Sequence, residues 1–178
     1  MQKLIRKGVV LCISLLLGLI VMLATVLLIG LHDPNSVLRE HPSDTQLITN
    51  FVDHEGEFQQ LAHLLEEKRD IVRVSGSGSC ADSNGVLFQN ANDPYCEKLV
   101  ELVQAVGMGW NSASIFLGQD RLWVTVSASG LSVSGSEKGY YFPQVDIPKE
   151  DLVENTQKAS GNEVYREIGN GWYIYLLW

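Results

Sequence analysis

Residues 114–127 read SIFLGQDRLWVTVS, and the period of this stretch decides the fold class. Leu122, Val124 and Val126 alternate with Trp123, Thr125 and Ser127. Successive side chains of a strand point to opposite faces, so this is the pattern of a half-buried strand. Gly118, Gln119 and Asp120 supply a turn back to a partner strand at 114–117. Two further strands are expected at 131–134 and 139–142, with Gly/Ser turns between them. Residues 143–162 are polar, with room for a short helix at 149–155, and 163–168 can be extended. Gly169-Asn170-Gly171 is a turn, and residues 172–178 (WYIYLLW) form a last strand. An aromatic strand at a terminus is held down only inside a sheet, so this one is expected in the interior of the sheet.

Upstream the period is helical. Leu47, Ile48, Phe51, Val52, Phe58, Leu61, Ala62, Leu64 and Leu65 follow near-helical spacing behind Ser43 or Asp44 as N-cap. Gly56 weakens the middle, so either one helix over 45–68 or two pieces joined there is expected. Residues 71–74 (IVRV) read as a short strand. Asp93 as N-cap and Pro94 in the first turn open a second helix that buries Leu99, Leu102, Val103 and Val106 and stops at Gly107. The sum is an α+β domain: two helices packed on a mostly antiparallel sheet of about five or six strands.

Residues 9–31 (VVLCISLLLGLIVMLATVLLIGL) contain no charge. At about 1.5 Å per residue such a run crosses a hydrocarbon core of about 30 Å. It is longer than the apolar core of a cleaved signal, and no small-x-small cleavage pattern follows it. Lys3, Arg6 and Lys7 precede it, which orients the N-terminus to the cytoplasm. The expected organisation is a cytoplasmic segment at 1–8, one N-terminal transmembrane helix at 9–31, a tether at 32–43 and an extracytoplasmic domain at 44–178. The first partner of this chain is then the lipid bilayer, through residues 9–31.

Two cysteines of the outer domain, Cys80 and Cys96, bracket a Gly/Asn/Asp-rich stretch. Exported domains use such pairs as disulfides, and a bridge is expected here. It would staple the second helix, at its first turn, to the end of the strand at 71–74. The third cysteine, Cys12, lies in the apolar run. No Asn carries the N-x-Ser/Thr glycosylation pattern, which points to a bacterial inner (cytoplasmic) membrane protein with its domain in the periplasm or outside the cell.

Charge and motif chemistry narrow the function. Beyond residue 31 the chain holds all 21 acidic residues and only ten basic ones, a formal −11. Such a domain repels nucleic acid and attracts basic proteins. Ser75-Gly76-Ser77-Gly78-Ser79 does not open a helix and has no nearby Lys, so it is no phosphate cradle. No G-x-S-x-G or H-E-x-x-H occurs, and His54 and His63 do not share a helix face. The acids around 53–57 and 66–70 match a solvated helix surface better than a glycosidase pair. No catalytic residue, cofactor or metal ligand is expected, and the chain reads as a non-enzyme. Its aromatic excess is the more specific signal. One face of the sheet should present Trp123, Tyr141, Tyr173 and Tyr175, a candidate partner surface if nothing covers it.

Lys138-Gly139-Tyr140-Tyr141, Leu152-Val153, Tyr165-Arg166-Glu167-Ile168 and Trp172-Tyr173-Ile174-Tyr175, with Leu47-Ile48-Thr49-Asn50-Phe51 and Phe58-Gln59-Gln60-Leu61, give most of residues 45–178 a resemblance. The chain resembles uncharacterised small bacterial membrane-anchored exported proteins and lipoproteins. The resemblance implies no activity and no site residues, although such proteins look similar to some periplasmic immunity proteins. The expectation is a membrane-anchored protein-binding module with a partner that carries basic charge, an immunity protein against a secreted toxin being one form of it. The rival expectations are an accessory subunit of an inner-membrane complex and an enzyme of unrecognised type.

Overall fold

A computed structural model describes residues 16–25, 40–66, 71–89, 93–110, 113–118, 121–129, 135–159 and 162–178. The chain divides into two units, 1–39 and 40–178. In the first, residues 16–25 are helical (α1), and Thr25 Oγ1 donates to Val21 O at 2.8 Å. Among the described residues no helix is long and apolar enough to cross a membrane. The flanks of the expected span, 9–15 and 26–31, lie outside them. The expected strand at 131–134 also lies outside them.

The second unit is α+β. Its helices are α2 (Asp44–Asp53), α3 (Glu55–Glu66) and α4 (Pro94–Val106). Its strands are β1 (Ile71–Ser75), β2 (Ser79–Asp82), β3 (Leu87–Gln89), β4 (Ser114–Leu117), β5 (Arg121–Ser129), β6 (Ser136–Pro143), β7 (Glu163–Gly169) and β8 (Trp172–Leu177). They form one sheet in the order β3-β2-β1-β4-β5-β6-β8-β7, and every neighbouring pair is antiparallel. Among the described residues eight strands stand where five or six were expected. The additional ones are β2 and β3, which fold the Gly/Asn/Asp-rich stretch into a hairpin against β1. Asp82 makes that turn, its Oδ1 accepting from the backbone N–H groups of Asn84 and Val86 at 2.9 and 2.8 Å.

Helix boundaries follow from their caps. Ser43 and Gln46 form a reciprocal capping box, Ser43 Oγ accepting from Gln46 N and Gln46 Oε1 from Ser43 N. Ser43 therefore caps α2, and the Asp44 carboxylate is left for another use. The helix breaks at His54 rather than at Gly56, which sits inside α3. Val52, on the outer side of α2, is 65% exposed, while Leu47, Phe51, Phe58 and Leu61 stay in the core. Helix α4 starts on Asp93, whose Oδ1 accepts from Tyr95 N at 2.8 Å, and ends at Gly107. A Cβ on Gly107 would lie 2.6 Å from both Ala113 Cβ and Val103 O, so the chain turns there only without a side chain.

The helices cover one face of the sheet. Leu47, Phe51, Phe58, Leu61, Leu99, Val103 and Val106 pack on Val74, Ile115, Leu122, Val124, Val126, Tyr140, Trp172 and Ile174. Phe58 is central, with ring centroids 4.6 Å from Tyr140 and 4.9 Å from Trp172. The last strand, β8, lies between β6 and β7 and so is interior to the sheet. Gly139 faces a bulge in β5, and a Cβ there would fall 2.0 Å from Val124 O. Only glycine lets β6 pass the bulge at that distance.

Cys80 and Cys96 are disulfide-bonded, with Cα atoms 6.1 Å apart. Cys80 lies on β2, so the bridge ties α4 to the second strand and not to the end of β1. Closing a loop of this length contributes about 3 kcal/mol in the chain-entropy account.

Candidate functional site

Two constellations stand out, one on each face of the sheet. The first is the open face. Strand register places Phe116, Trp123, Tyr141, Tyr173 and Glu167 in one lateral row across β4, β5, β6, β8 and β7. Residues paired across strands share a face, so this row is the aromatic surface expected from the sequence. Trp123 and Tyr141 stack at 4.2 Å, and Trp123 meets Tyr175 edge-on at 4.7 Å. All four predicted residues are therefore brought together.

They are not equally open. Tyr141 is 6% exposed and Tyr175 is fully buried, so neither is free surface. The reason is local. The rings of Tyr165, Tyr141, Tyr175 and Trp123 cover one another, and Ile147 and Leu177 pack against the group. Tyr175 also shares a 2.8 Å hydrogen bond with Thr125 Oγ1. Trp123 and Tyr173 stay half-buried, and Phe116 is 47% exposed. Tyr165 belongs to this cluster and was missed in the sequence. The alternation Val164, Arg166, Ile168 against Tyr165, Glu167 was the signal for it. Its hydroxyl donates to Glu163, and burial, followed by that acceptor, holds the phenol strongly toward its neutral form. Burial, then Glu167 and Asp146, pushes the Tyr173 hydroxyl up as well.

The second constellation is on the helix side. Asp44 is the first residue of α2 and is 1% exposed, and the side chain of Lys138 on β6 is fully buried. Asp44 Oδ1 accepts from Lys138 Nζ at 2.6 Å and from Thr156 Oγ1 at 2.5 Å. Its Oδ2 accepts from Thr156 N at 2.9 Å and from an Arg166 guanidinium nitrogen at 3.1 Å. Burial pushes the Asp44 carboxyl up, but Lys138 and Thr156 outweigh it and hold the pKa below the usual carboxylate value. The helix N-terminus favours the same charge. Burial, against the opposing pull of Asp44, lowers the Lys138 ammonium.

Beside it, His41 bridges Ser127 Oγ and Ser136 Oγ at 2.7 Å on each ring nitrogen. Burial, then the charge of Lys138, pulls His41 below its ordinary value. Residues 40–43, expected as tether, are thus docked on the domain. None of this cluster was proposed from the sequence. The one readable sign was a lysine at an inward register position of β6, beside Tyr140 and Phe142.

The chemistry open to Asp44 is limited. An ionised carboxylate offers about four acceptor sites, and four donors occupy them here. It has no free lone pair for a substrate proton, so the cluster is a clamp on α2, β6, β7 and the 156 turn rather than an acid–base pair. Arg166 links it to a surface cleft of about 630 Å³ lined by Leu152, Val153, Glu154, Arg166 and Glu167. Among the described residues no group of three His, Cys, Asp or Glu side chains could hold a metal ion.

No family model, curated protein or solved structure matches this chain.

Proposed function

We propose that this chain is a single-pass membrane-anchored protein-binding module whose folded domain works outside the cytoplasm. Residues 9–31 span the inner membrane, 1–8 remain in the cytoplasm, and the domain from residue 40 onward lies in the periplasm or outside the cell. The observation that carries the reading is the Cys80–Cys96 disulfide in a domain that follows a charge-free run of 23 residues. Disulfides persist in oxidising compartments, and the basic residues ahead of the run support the same side for the domain. The formal −11 beyond residue 31 supports a partner with basic charge, whose capture it accelerates. Neutralising a basic exported toxin, as an immunity protein does, is the form of binding these features favour.

Crosslinking in intact cells, followed by purification of the tagged chain, is expected to recover one reproducible exported partner. The recovery should persist when residues 9–31 are exchanged for an unrelated anchor. Recovery that disappears with the exchange makes the chain a subunit of a membrane complex instead. No reproducible partner with either anchor contradicts the binding module.

A further inference from the structure

The open face carries a second pattern besides its rings. Tyr173 interacts electrostatically with Glu167 and Asp146, Tyr165 with Glu163 and Asp151, and Tyr175 with Glu137. Five carboxylates therefore surround the β6–β8–β7 end of the face. Strand pairing sets Glu137 and Glu163 on either side of Leu177, and Glu167 directly beside Tyr173. Glu137, Asp146, Glu163 and Glu167 are exposed. Among the described residues no ion pair engages Glu137, Asp146 or Glu167. Lys138 on β6 and Arg166 on β7 are both spent on Asp44, on the opposite face.

Aromatic rings attract cations through their negative faces, and a rim of carboxylates adds Coulomb attraction. We infer that this end of the sheet, centred on Tyr173 with Glu167 and Asp146 at its rim and Trp123 two strands away beyond Tyr141, is the docking surface for a partner protein's arginine or lysine side chain. The inference rests on the protein-binding reading above and names the chemistry of its contact. Charge complementarity selects the occupant: an acidic partner is repelled by the rim, and an uncharged one gains nothing from it. Arginine suits the site better than lysine, because its planar guanidinium stacks on an aromatic ring and bonds a carboxylate at once.

The full chain in neutral detergent, titrated with a dodeca-arginine peptide, tests this. Binding to the unaltered chain is expected. Tyr173→Leu, and separately Glu167→Gln with Asp146→Asn, should each weaken it by roughly 10-fold, the scale of a cation–aromatic or charged contact at a hot spot. Tyr173→Phe should bind like the parent, since the ring and not the hydroxyl is required. Thermal melts of all variants separate loss of the site from loss of the fold. Equal binding by parent and folded variants means diffuse attraction to the acidic domain and overturns the inference, as does the absence of binding. Tetramethylammonium that binds alone and blocks the peptide completely would also overturn it, giving the site to a small quaternary cation. In all of these failures a partner still crosslinked in cells leaves the binding module standing, so the two readings fail separately.

Discussion

Asp44→Ala should cost about 3–5 kcal/mol of unfolding free energy, the scale of removing one partner from a buried charge pair. The substitution leaves the Lys138 ammonium fully buried with its 2.6 Å acceptor gone, and it frees Thr156 and Arg166 at the same time. A domain of this size is stable by about 5–15 kcal/mol, so the loss is visible as a large fall in denaturation midpoint. The partner substitution separates the charge from the shape. Asp44→Ala combined with Lys138→Met removes the orphaned cation and should recover much of the loss, because apolar replacements of buried ion pairs are often neutral. A double variant no more stable than Asp44→Ala alone would mean that Thr156 and Arg166, not the lysine, carry the clamp.

The same cluster fixes the pH dependence. His41 has a lowered pKa in the folded state, so the unfolded chain binds more protons and stability falls as pH drops below 6.5. Asp44 is also lowered, so its contribution is complete above 3.8 and is lost as pH falls through its folded value. Denaturation midpoints measured across the acid range should show both decrements, and His41→Gln should remove the first alone.

Ending the chain before Trp172 should abolish cooperative folding altogether. The missing strand is β8, which joins β6 to β7 and puts Trp172 and Ile174 into the main core and Tyr175 into the aromatic cluster. Loss of one core tryptophan costs about 3–5 kcal/mol, and the whole strand exceeds the net stability of the domain. Without it the strand pairing left to β7 among the described residues is the isolated parallel bridge between Leu152 and Tyr165, beside the Arg166–Asp44 ion pair. Deletion of Trp178 alone is the control. It is 51% exposed, so its loss should cost under about 1 kcal/mol beyond the single bond from its N–H to Asn162 O. A cooperative melt from the long truncation would show that β8 is an addition to the sheet and not part of its core.

What could be read from the chain depended on whether the signal was local. The Asp93-Pro94 cap, the Gly107 stop and the alternation of β5 and β8 are carried within one element, and each forms where expected. Strands β2 (SCAD) and β3 (LFQ) were illegible because they are short, lack the β-branched residues of 71–74 and sit among Gly, Asn and Asp. Pairing with β1 and the disulfide holds them, not a pattern of their own. The Asp44–Lys138 contact joins residues 94 apart, and no short window contains both. The aromatic face was legible as a face, since alternation assigns sides. How far its rings would cover each other was not, because Tyr165 and Ile147 arrive from segments with weak patterns of their own.

The central claim is that an apolar anchor precedes a domain oxidised outside the cytoplasm. Counting free thiols on the full chain in the alkali-resistant membrane fraction tests it directly. Cells are quenched in acid, and the denatured protein is alkylated with a reagent that adds a fixed mass per thiol. The chain has three cysteines, and Cys80 and Cys96 form the disulfide. The account predicts one adduct in the membrane fraction, on Cys12, rising to three after reduction. Three adducts without reduction, or a chain recovered from the soluble fraction, would contradict it.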